Sequence, residues 1–243
     1  MQTMRERYRR PEWVRRFNAM ADACGGAERV VPLVADHFLE HAVTATGLEF
    51  GDLGDGDWEN RFRRLVEAVN LSDLHVVGRL LTREELLRSL QTRLFLSEAC
   101  RRAPEITDER IVEPVIVTGP ARSGTTILFE LVGLDPGLRT PIAADVIHPA
   151  RPELDDSRRL AMTECEQELW ADIQPEFAAM HELRSDLPVE CVTICAPSFA
   201  GSHWPMILGD LGSWTPDVEA DLAFHCALGK PPSSAPASTV HDT

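Results

Sequence analysis

The sequence is poor in positive charge and has no long apolar run, and both absences narrow the possible functions. Its 24 basic residues are outnumbered by 39 acidic ones, which gives the 243-residue chain a formal net charge of −15. Such a charge disfavours non-specific binding to nucleic acid and to anionic membrane surfaces. No apolar run approaches the length of a transmembrane segment, and the N-terminus lacks the apolar core of a signal peptide. We therefore expect a cytoplasmic protein that binds neither nucleic acid nor a membrane.

Clustered metal ligands are also scarce. The six cysteines are scattered, and the pair Cys191 and Cys195 has neither a second pair nor a histidine cluster at zinc spacing. The zinc-protease pattern H-x-x-E-H occurs at His37, Glu40 and His41, but a helix-rich acidic chain produces so short a pattern by chance. We expect reduced thiols and no metal.

Hydrophobic patterning divides the chain into three parts. Residues 1–110 are predicted to be all helical, because apolar residues between 58 and 69 recur on one helix face. Residues 111–228 are predicted to form an α/β domain. Residues 229–243, rich in proline, serine and alanine, have the composition of a disordered tail.

Local signals place several element boundaries. Thr82 and Glu85 match a capping box, which predicts a helix start at that point. Residues 140–146 are predicted to be a second strand. The Asp155-Asp156-Ser157 sequence can begin another helix.

Residues 115–126, with the sequence VIVTGPARSGTT, carry the most specific signal. A β-branched run ends in Gly119, a polar loop follows, and a helix-forming segment begins. In such a loop successive backbone N–H groups converge, and the helix dipole favours an anion there. Gly119 and Gly124 allow a close approach of the backbone, and Arg122 adds a planar cation. The segment therefore predicts a phosphate-binding loop.

The loop differs from that of nucleotide hydrolases. An NTPase P-loop has the sequence G-x-x-x-x-G-K-[ST]. Gly119, Gly124 and Thr126 match it, but Thr125 stands where the lysine belongs. The missing lysine argues against a P-loop nucleotide kinase or NTPase, which we retain as an alternative.

Pro-x-Arg-Ser-Gly-Thr-Thr after a hydrophobic strand resembles the 5′-phosphosulfate loop of sulfotransferases, which bind 3′-phosphoadenosine 5′-phosphosulfate (PAPS). Similar strings occur at 44–48, 93–94, 135–141 and 181–191, so that the resemblance extends from about residue 40 to about residue 228. It implies a P-loop-type parallel sheet flanked by helices, behind the helical N-terminal region. It also implies transfer of a sulfuryl group to the hydroxyl or amine of a small-molecule acceptor, without a metal. The cofactor-binding residues would be Gly119, Pro120, Ala121, Arg122, Ser123, Gly124, Thr125 and Thr126.

An acceptor alcohol needs a general base, and three residues are candidates. Asp145 follows the predicted second strand, roughly where related sulfotransferases place a catalytic glutamate, and ranks first. His181 and Glu190 lie at the two ends of another family-like string and rank behind it. Arg122 would neutralise charge on the phosphate–sulfate bridge and completes the set of predicted catalytic residues.

The resemblance stops near residue 228, where family members continue with residues that bind the 3′-phosphate. A truncated chain is the expectation that follows. An inactive fragment that binds only a phosphate ligand or a partner protein is therefore a second alternative. A parallel sheet that lacks its second half would expose an edge and an apolar face. This exposure predicts self-association of the chain.

Overall fold

The computed structural model describes residues 7–108, 115–120, 123–151 and 153–227, and helices dominate these ranges. We number the α-helices in chain order and use η for 3-10 helices. The elements are α1 (Glu12–Ala23), α2 (Ala27–Val30), α3 (Ala35–Thr46), α4 (Trp58–Leu71), α5 (Val76–Arg102), η1 (Pro104–Asp108), α6 (Thr125–Val132), α7 (Ala143–Ile147), α8 (Asp156–Ile173), α9 (Pro175–Ala178), η2 (Cys191–Ser198), α10 (His203–Leu208) and α11 (Val218–Ala227).

Helix α5 is the central element. Its 27 residues give it a length of about 40 Å. Helices α1, α2 and α3 pack against it, and so does η2 from the second half of the chain. The apolar stripe predicted on α4 is confirmed, because Phe62, Leu65, Val66 and Val69 are all buried.

In the described residues, a hydrophobic core joins the two halves of the chain. Phe62 of α4 contacts Phe199, with ring centroids 4.9 Å apart, and Phe199 stacks on Trp204 at 5.9 Å. Both Phe199 and Trp204 are fully buried. Phe199 has a φ of 54°, a backbone conformation that bulky residues rarely adopt, and the surrounding rings hold it there. The helices before residue 108 therefore share their core with residues 173–211.

The predicted P-loop-type parallel sheet is wrong. Within the described ranges the only β pairing is one isolated antiparallel bridge, between Ile142 and Pro188. Residues 115–118 are not helical, but no backbone hydrogen bond joins them to another described residue. The second predicted strand is instead the bridge residue Ile142 followed by helix α7. A strand of a parallel sheet needs a partner distant in sequence, which a short β-branched run does not guarantee.

One predicted helix boundary is wrong and another is confirmed. Helix α5 begins at Val76, capped by His75, so Thr82 and Glu85 lie inside it. The side chain of Glu85 faces the protein interior and does not cap a helix. In contrast, Asp155 caps α8 as predicted, since its side chain accepts a hydrogen bond of 2.8 Å from the backbone N–H of Arg158.

Candidate functional site: the 119–126 loop and its surroundings

Pro120 and Ser123, the described residues on either side of 121–122, lie close together, and helix α6 begins shortly after them. The N–H of Ser123 donates to the carbonyl of Pro120 at 3.2 Å. Gly124 has a φ of 91°, a conformation that favours glycine, and α6 begins at the next residue. A Cβ added at Gly119 would lie 2.8 Å from Ser123 Oγ, so the absence of a side chain there allows the loop to close.

The start of α6 is available to a ligand. No side chain caps its first turn, so the orphan N–H groups that begin every helix have no side-chain acceptor. Gly119, Pro120, Ser123 and Gly124 are exposed, and Thr125 and Thr126 are half-buried. The backbone N–H groups of the first turn of α6 and the hydroxyls of Thr125 and Thr126 are donors of the kind that an anion requires. Ala121 and Arg122, both predicted to belong to the site, lie outside the described residues.

Asp145 lies in the first turn of α7, where two arginines surround it. Its Oδ1 accepts from Arg159 Nη1 of α8 at 2.9 Å, and its Oδ2 lies 3.9 Å from Arg139 Nη2. The side chain of Asp145 is 24% exposed. The carboxylate is therefore held in place and still reached by solvent. Sequence reasoning missed both arginines, because nothing local marks a residue whose partner is on another helix.

A short antiparallel contact fixes the surroundings of Asp145. The N–H of Ala143 donates to Leu187 O at 2.9 Å, and the N–H of Val189 donates to Pro141 O at 3.1 Å. Glu190 directly follows Val189 in this contact. The structure thus brings together the segments that carry two of the predicted bases, Asp145 and Glu190.

Helix α8 supports the same contact. Glu164 Oε2 accepts from the backbone N–H of Ser185 at 2.8 Å. This hydrogen bond lowers the pKa of the Glu164 carboxyl. Arg88 of α5 donates to Ile147 O at 3.0 Å, which holds the other end of α7. Helix α7 is therefore fixed from both sides.

His181 is placed differently. Its ring stacks on that of Phe177, with centroids 4.6 Å apart and an interplanar angle of 26°. It is half-buried, whereas Glu190 is exposed at the start of η2 and makes no capping hydrogen bond. Among contacts between described residues, Asp145 alone of the three predicted bases has a charged partner that fixes its orientation. The assignment of a general base remains a prediction.

Two buried ionic clusters were not expected from the sequence. In the first, Asp55 binds Arg93 at 2.7 and 2.9 Å and Arg61 at 2.8 Å, and all three side chains are nearly inaccessible to water. Arg93 also lies 4.4 Å from the centre of the Trp58 ring. Burial lowers the pKa of Arg93. This cluster ties the 51–57 loop to α4 and α5.

The second cluster is centred on Glu85. Its Oε1 lies 2.8 Å from His203 Nε2, and its Oε2 accepts a hydrogen bond from Arg88. Burial alone raises the pKa of Glu85, but the charge of Arg88 and the hydrogen bond to His203 outweigh it and lower the pKa to about 2. Arg88 therefore links this cluster to helix α7.

Neither a metal cluster nor a membrane helix is found in the described part of the chain. His37, Glu40 and His41 are exposed on α3, and the residues that the structure describes contain no group of three or more possible ligands. No helix in these ranges has both the length and the apolar character needed to cross a bilayer.

The fold is similar to that of two solved mycobacterial sulfotransferases. STF1 from Mycobacterium tuberculosis matches with a TM-score of 0.55 and 22% identity, over 81% of this chain and 59% of that protein. STF9 from Mycobacterium avium matches with a TM-score of 0.59 and 24% identity, over 82% of this chain and 55% of that protein. No protein-family profile and no curated protein sequence matches the chain.

These matches confirm the resemblance to sulfotransferases at the level of the fold. The chain spans somewhat more than half the length of the two structures it matches. Because a shared fold hosts different activities, the reaction has to be argued from the site.

Proposed function

We propose that the chain is a sulfotransferase that binds the 5′-phosphosulfate of PAPS at loop 119–126 and transfers the sulfuryl group to a hydroxyl or amine. The observation that carries this proposal is the described part of the loop, from Gly119 to the start of helix α6 at Thr125. It has a left-handed glycine and an uncapped helix start, in a fold shared with two sulfotransferases. Thr125 stands where an NTPase P-loop has its lysine. This difference favours PAPS as the donor over a nucleotide whose terminal phosphate is cleaved.

The residues of the loop fit a phosphosulfate group. The N–H groups at the start of α6 and the hydroxyls of Thr125 and Thr126 are hydrogen-bond donors, and a Cβ at Gly119 would fill part of the space behind them. Arg122 would add a fixed positive charge to these donors. This local charge is needed because the chain as a whole repels anions. PAPS itself would supply an activated sulfuryl group with a stable leaving group.

Asp145 is the proposed general base. Its ion pair with Arg159 orients the carboxylate, and the 24% exposure of its side chain gives an acceptor hydroxyl access to it. In this role Asp145 would accept the proton of the acceptor as its oxygen or nitrogen attacks sulfur. Glu190 lies close by along the 141–143 and 187–189 contact and is the next candidate.

Binding of the desulfated cofactor tests the loop directly. Titration calorimetry with 3′-phosphoadenosine 5′-phosphate, in EDTA and without magnesium, should show saturable binding by the full chain. Arg122→Ala should weaken this binding about tenfold or more, since a charge-assisted hydrogen bond contributes ~1.5–3 kcal/mol. Arg64→Ala is the matched control, because Arg64 is an exposed arginine on α4. Equal binding by both variants would refute the assignment, and binding that requires magnesium would favour the NTPase alternative.

A second candidate function is phosphate binding without catalysis. The observation that favours it is that Asp145, the proposed base, is engaged in an ion pair with Arg159. Transfer of sulfur-35 from labelled PAPS to a panel of phenols, alcohols and amines distinguishes the two functions. If the unsubstituted chain transfers label to any acceptor and Arg122→Ala does not, the result supports the sulfotransferase function. Cofactor binding without label in any acceptor or in free sulfate supports the binding protein.

A further inference from the structure

Helix α7, which carries Asp145, is too short to set its own position. It has five residues, Ala143–Ile147, and so completes little more than one helical turn. Forming a first turn is unfavourable without support from the rest of the protein. The hydrogen bond from the N–H of His148 to Ala144 O, near its end, is 3.3 Å long. Contacts from neighbouring elements therefore decide where the Asp145 carboxylate lies.

Two side chains from outside the helix hold the C-terminal end of α7. Arg88 Nη1 of α5 donates to Ile147 O at 3.0 Å. His148, which directly follows α7 and is buried, places its Nε2 2.9 Å from Glu166 Oε2 of α8. The two contacts reach this end from different helices, so Arg88 fixes α7 relative to α5 and His148 fixes it relative to α8.

Arg88 is itself held firmly. Its side chain is only 10% exposed, and Nη2 donates to Glu85, which in turn contacts His203 at 2.8 Å. Burial alone lowers the pKa of Arg88, but the charges of Glu85, Glu84 and Glu166 outweigh it and raise the pKa. The guanidinium is therefore charged, and its planar fork donates to Glu85 and to α7 at the same time.

Packing next to Arg88 is incomplete. A cavity of about 40 Å³ lies beside its side chain, between α5, the end of α7 and η2. Val146 and Pro149 line it on one side, and Thr193 and Ala196 on another. Side chains around a cavity lack part of their van der Waals contacts. Packing here therefore constrains α7 less than a filled core would, and the hydrogen bond from Arg88 carries more of the constraint.

We propose that Arg88 is a positioning residue for Asp145: its hydrogen bond to Ile147 O sets the orientation of α7 and thereby aims the Asp145 carboxylate at the acceptor. This inference rests on the proposed function, in which Asp145 is the base. Arg88 acts through the main chain of α7, whereas Arg159 holds the carboxylate itself at 2.9 Å. The backbone and the side chain of Asp145 thus have separate anchors.

Arg88→Lys tests the proposal while it keeps a positive charge beside Glu85. Lysine has one ammonium group and lacks the fork that reaches both Glu85 and Ile147 O. We expect kcat for sulfuryl transfer to fall about 10–100-fold, since a misplacement of about 1 Å costs up to ~10²-fold, and the KM for PAPS to change less than about threefold. Asp55→Asn is the matched control, because it removes a buried charge from the other ionic cluster. Its kcat should stay within about twofold of the unsubstituted chain.

A double substitution separates positioning from a general effect on folding. If Arg88 acts through Asp145, adding Arg88→Lys to Asp145→Asn should lower kcat less than about threefold further, because coupled residues are non-additive. A full additional loss in that background would overturn the proposal. So would a loss of kcat in Asp55→Asn as large as that in Arg88→Lys.

Hydrogen exchange followed by mass spectrometry gives a readout that needs no activity. In Arg88→Lys the amides of Val146 and His148 should exchange at least about tenfold faster, while exchange in α4 stays the same. Unchanged exchange in α7 would overturn the proposal. If the unsubstituted chain transfers no sulfuryl group, the proposed function fails, whereas faster exchange in α7 would still support the hold of Arg88 on that helix.

Discussion

Among single substitutions in the 51–57 loop, Asp55→Asn should destabilise the protein most. The Asp55 side chain is fully buried and makes three charged hydrogen bonds of 2.7–2.9 Å to Arg61 and Arg93. Asparagine has a similar shape but no charge, so two buried guanidinium groups lose their counter-ion. Removing one partner of a buried ion pair costs about 3–5 kcal/mol.

The structure favours the lower end of that range. Arg93 keeps its bond to Pro197 O at 2.9 Å, and Arg61 keeps its bond to Ser198 O at 3.1 Å. We therefore expect a loss of about 3 kcal/mol in the free energy of unfolding. This corresponds to a fall of about 1 M in the urea midpoint at ~3 kcal/mol/M. The melting temperature should fall by roughly 6–12 °C.

Urea unfolding followed by tryptophan fluorescence measures this effect. Asp52→Asn is the control, because Asp52 is exposed in the same loop, accepts a hydrogen bond among the described residues only from the N–H of Gly54, and acts on Arg93 by charge alone. It should shift the free energy of unfolding by less than about 1 kcal/mol. Adding Arg93→Gln to Asp55→Asn should cost less than Arg93→Gln alone, with a coupling of about 1–3 kcal/mol. If Asp55→Asn behaved like Asp52→Asn, the reasoning from buried charge would be refuted.

Three further predictions concern other parts of the molecule. Glu85→Gln should lower the free energy of unfolding by about 3 kcal/mol at neutral pH, because a pKa shift from 4.5 to about 2 is worth ~1.4 kcal/mol per unit. Since the folded pKa is depressed, this stabilisation is present above pH ~5 and disappears as the pH falls towards 2, so urea titrations of the two proteins should converge in acid. Burial raises the pKa of Cys195 to about 12, so at pH 8 iodoacetamide should modify the exposed Cys191 at least about a hundredfold faster, as read by peptide mass spectrometry. Equal labelling would show that Cys195 is not protected by the fold. Asp145→Asn should lower kcat for sulfuryl transfer about 10²–10⁴-fold with little change in cofactor affinity, and a larger effect of Glu190→Gln would reassign the base.

Local signals explain which parts of the fold could be predicted. Helix α4 could be predicted from its periodic apolar face, and helix α8 from the Asp155 cap, because each signal lies in neighbouring residues. The loop at 119–126 was predictable for the same reason, since the conformation of Gly124 and the helix start at Thr125 depend on the local sequence. Its role in binding PAPS stays a prediction.

Failures occurred where a partner distant in sequence decides the structure. Residues 140–146 include the β-branched Thr140, Ile142 and Val146, but a single bridge at Ile142 is the whole of their β pairing in the described chain. The sequence predicted Glu85 at a helix cap. In the structure it lies in the interior, where it contacts His203, 118 residues later in the chain. Likewise Arg159 reaches Asp145 from another helix. Contacts between two residues far apart in the chain produce no periodic pattern in a single sequence.

The long-range ionic contacts also have a consequence for the order of synthesis. Arg61 reaches a carbonyl 137 residues later in the chain, Arg93 one 104 residues later, and Glu85 a histidine 118 residues later. A ribosome adds residues at ~5–20 per second, so the partners follow after roughly 5–27 s. During that interval the unfinished faces of α4 and α5 carry charges that water solvates well. We expect these charges to oppose aggregation of the nascent helices until residues 196–204 have been made and cover them.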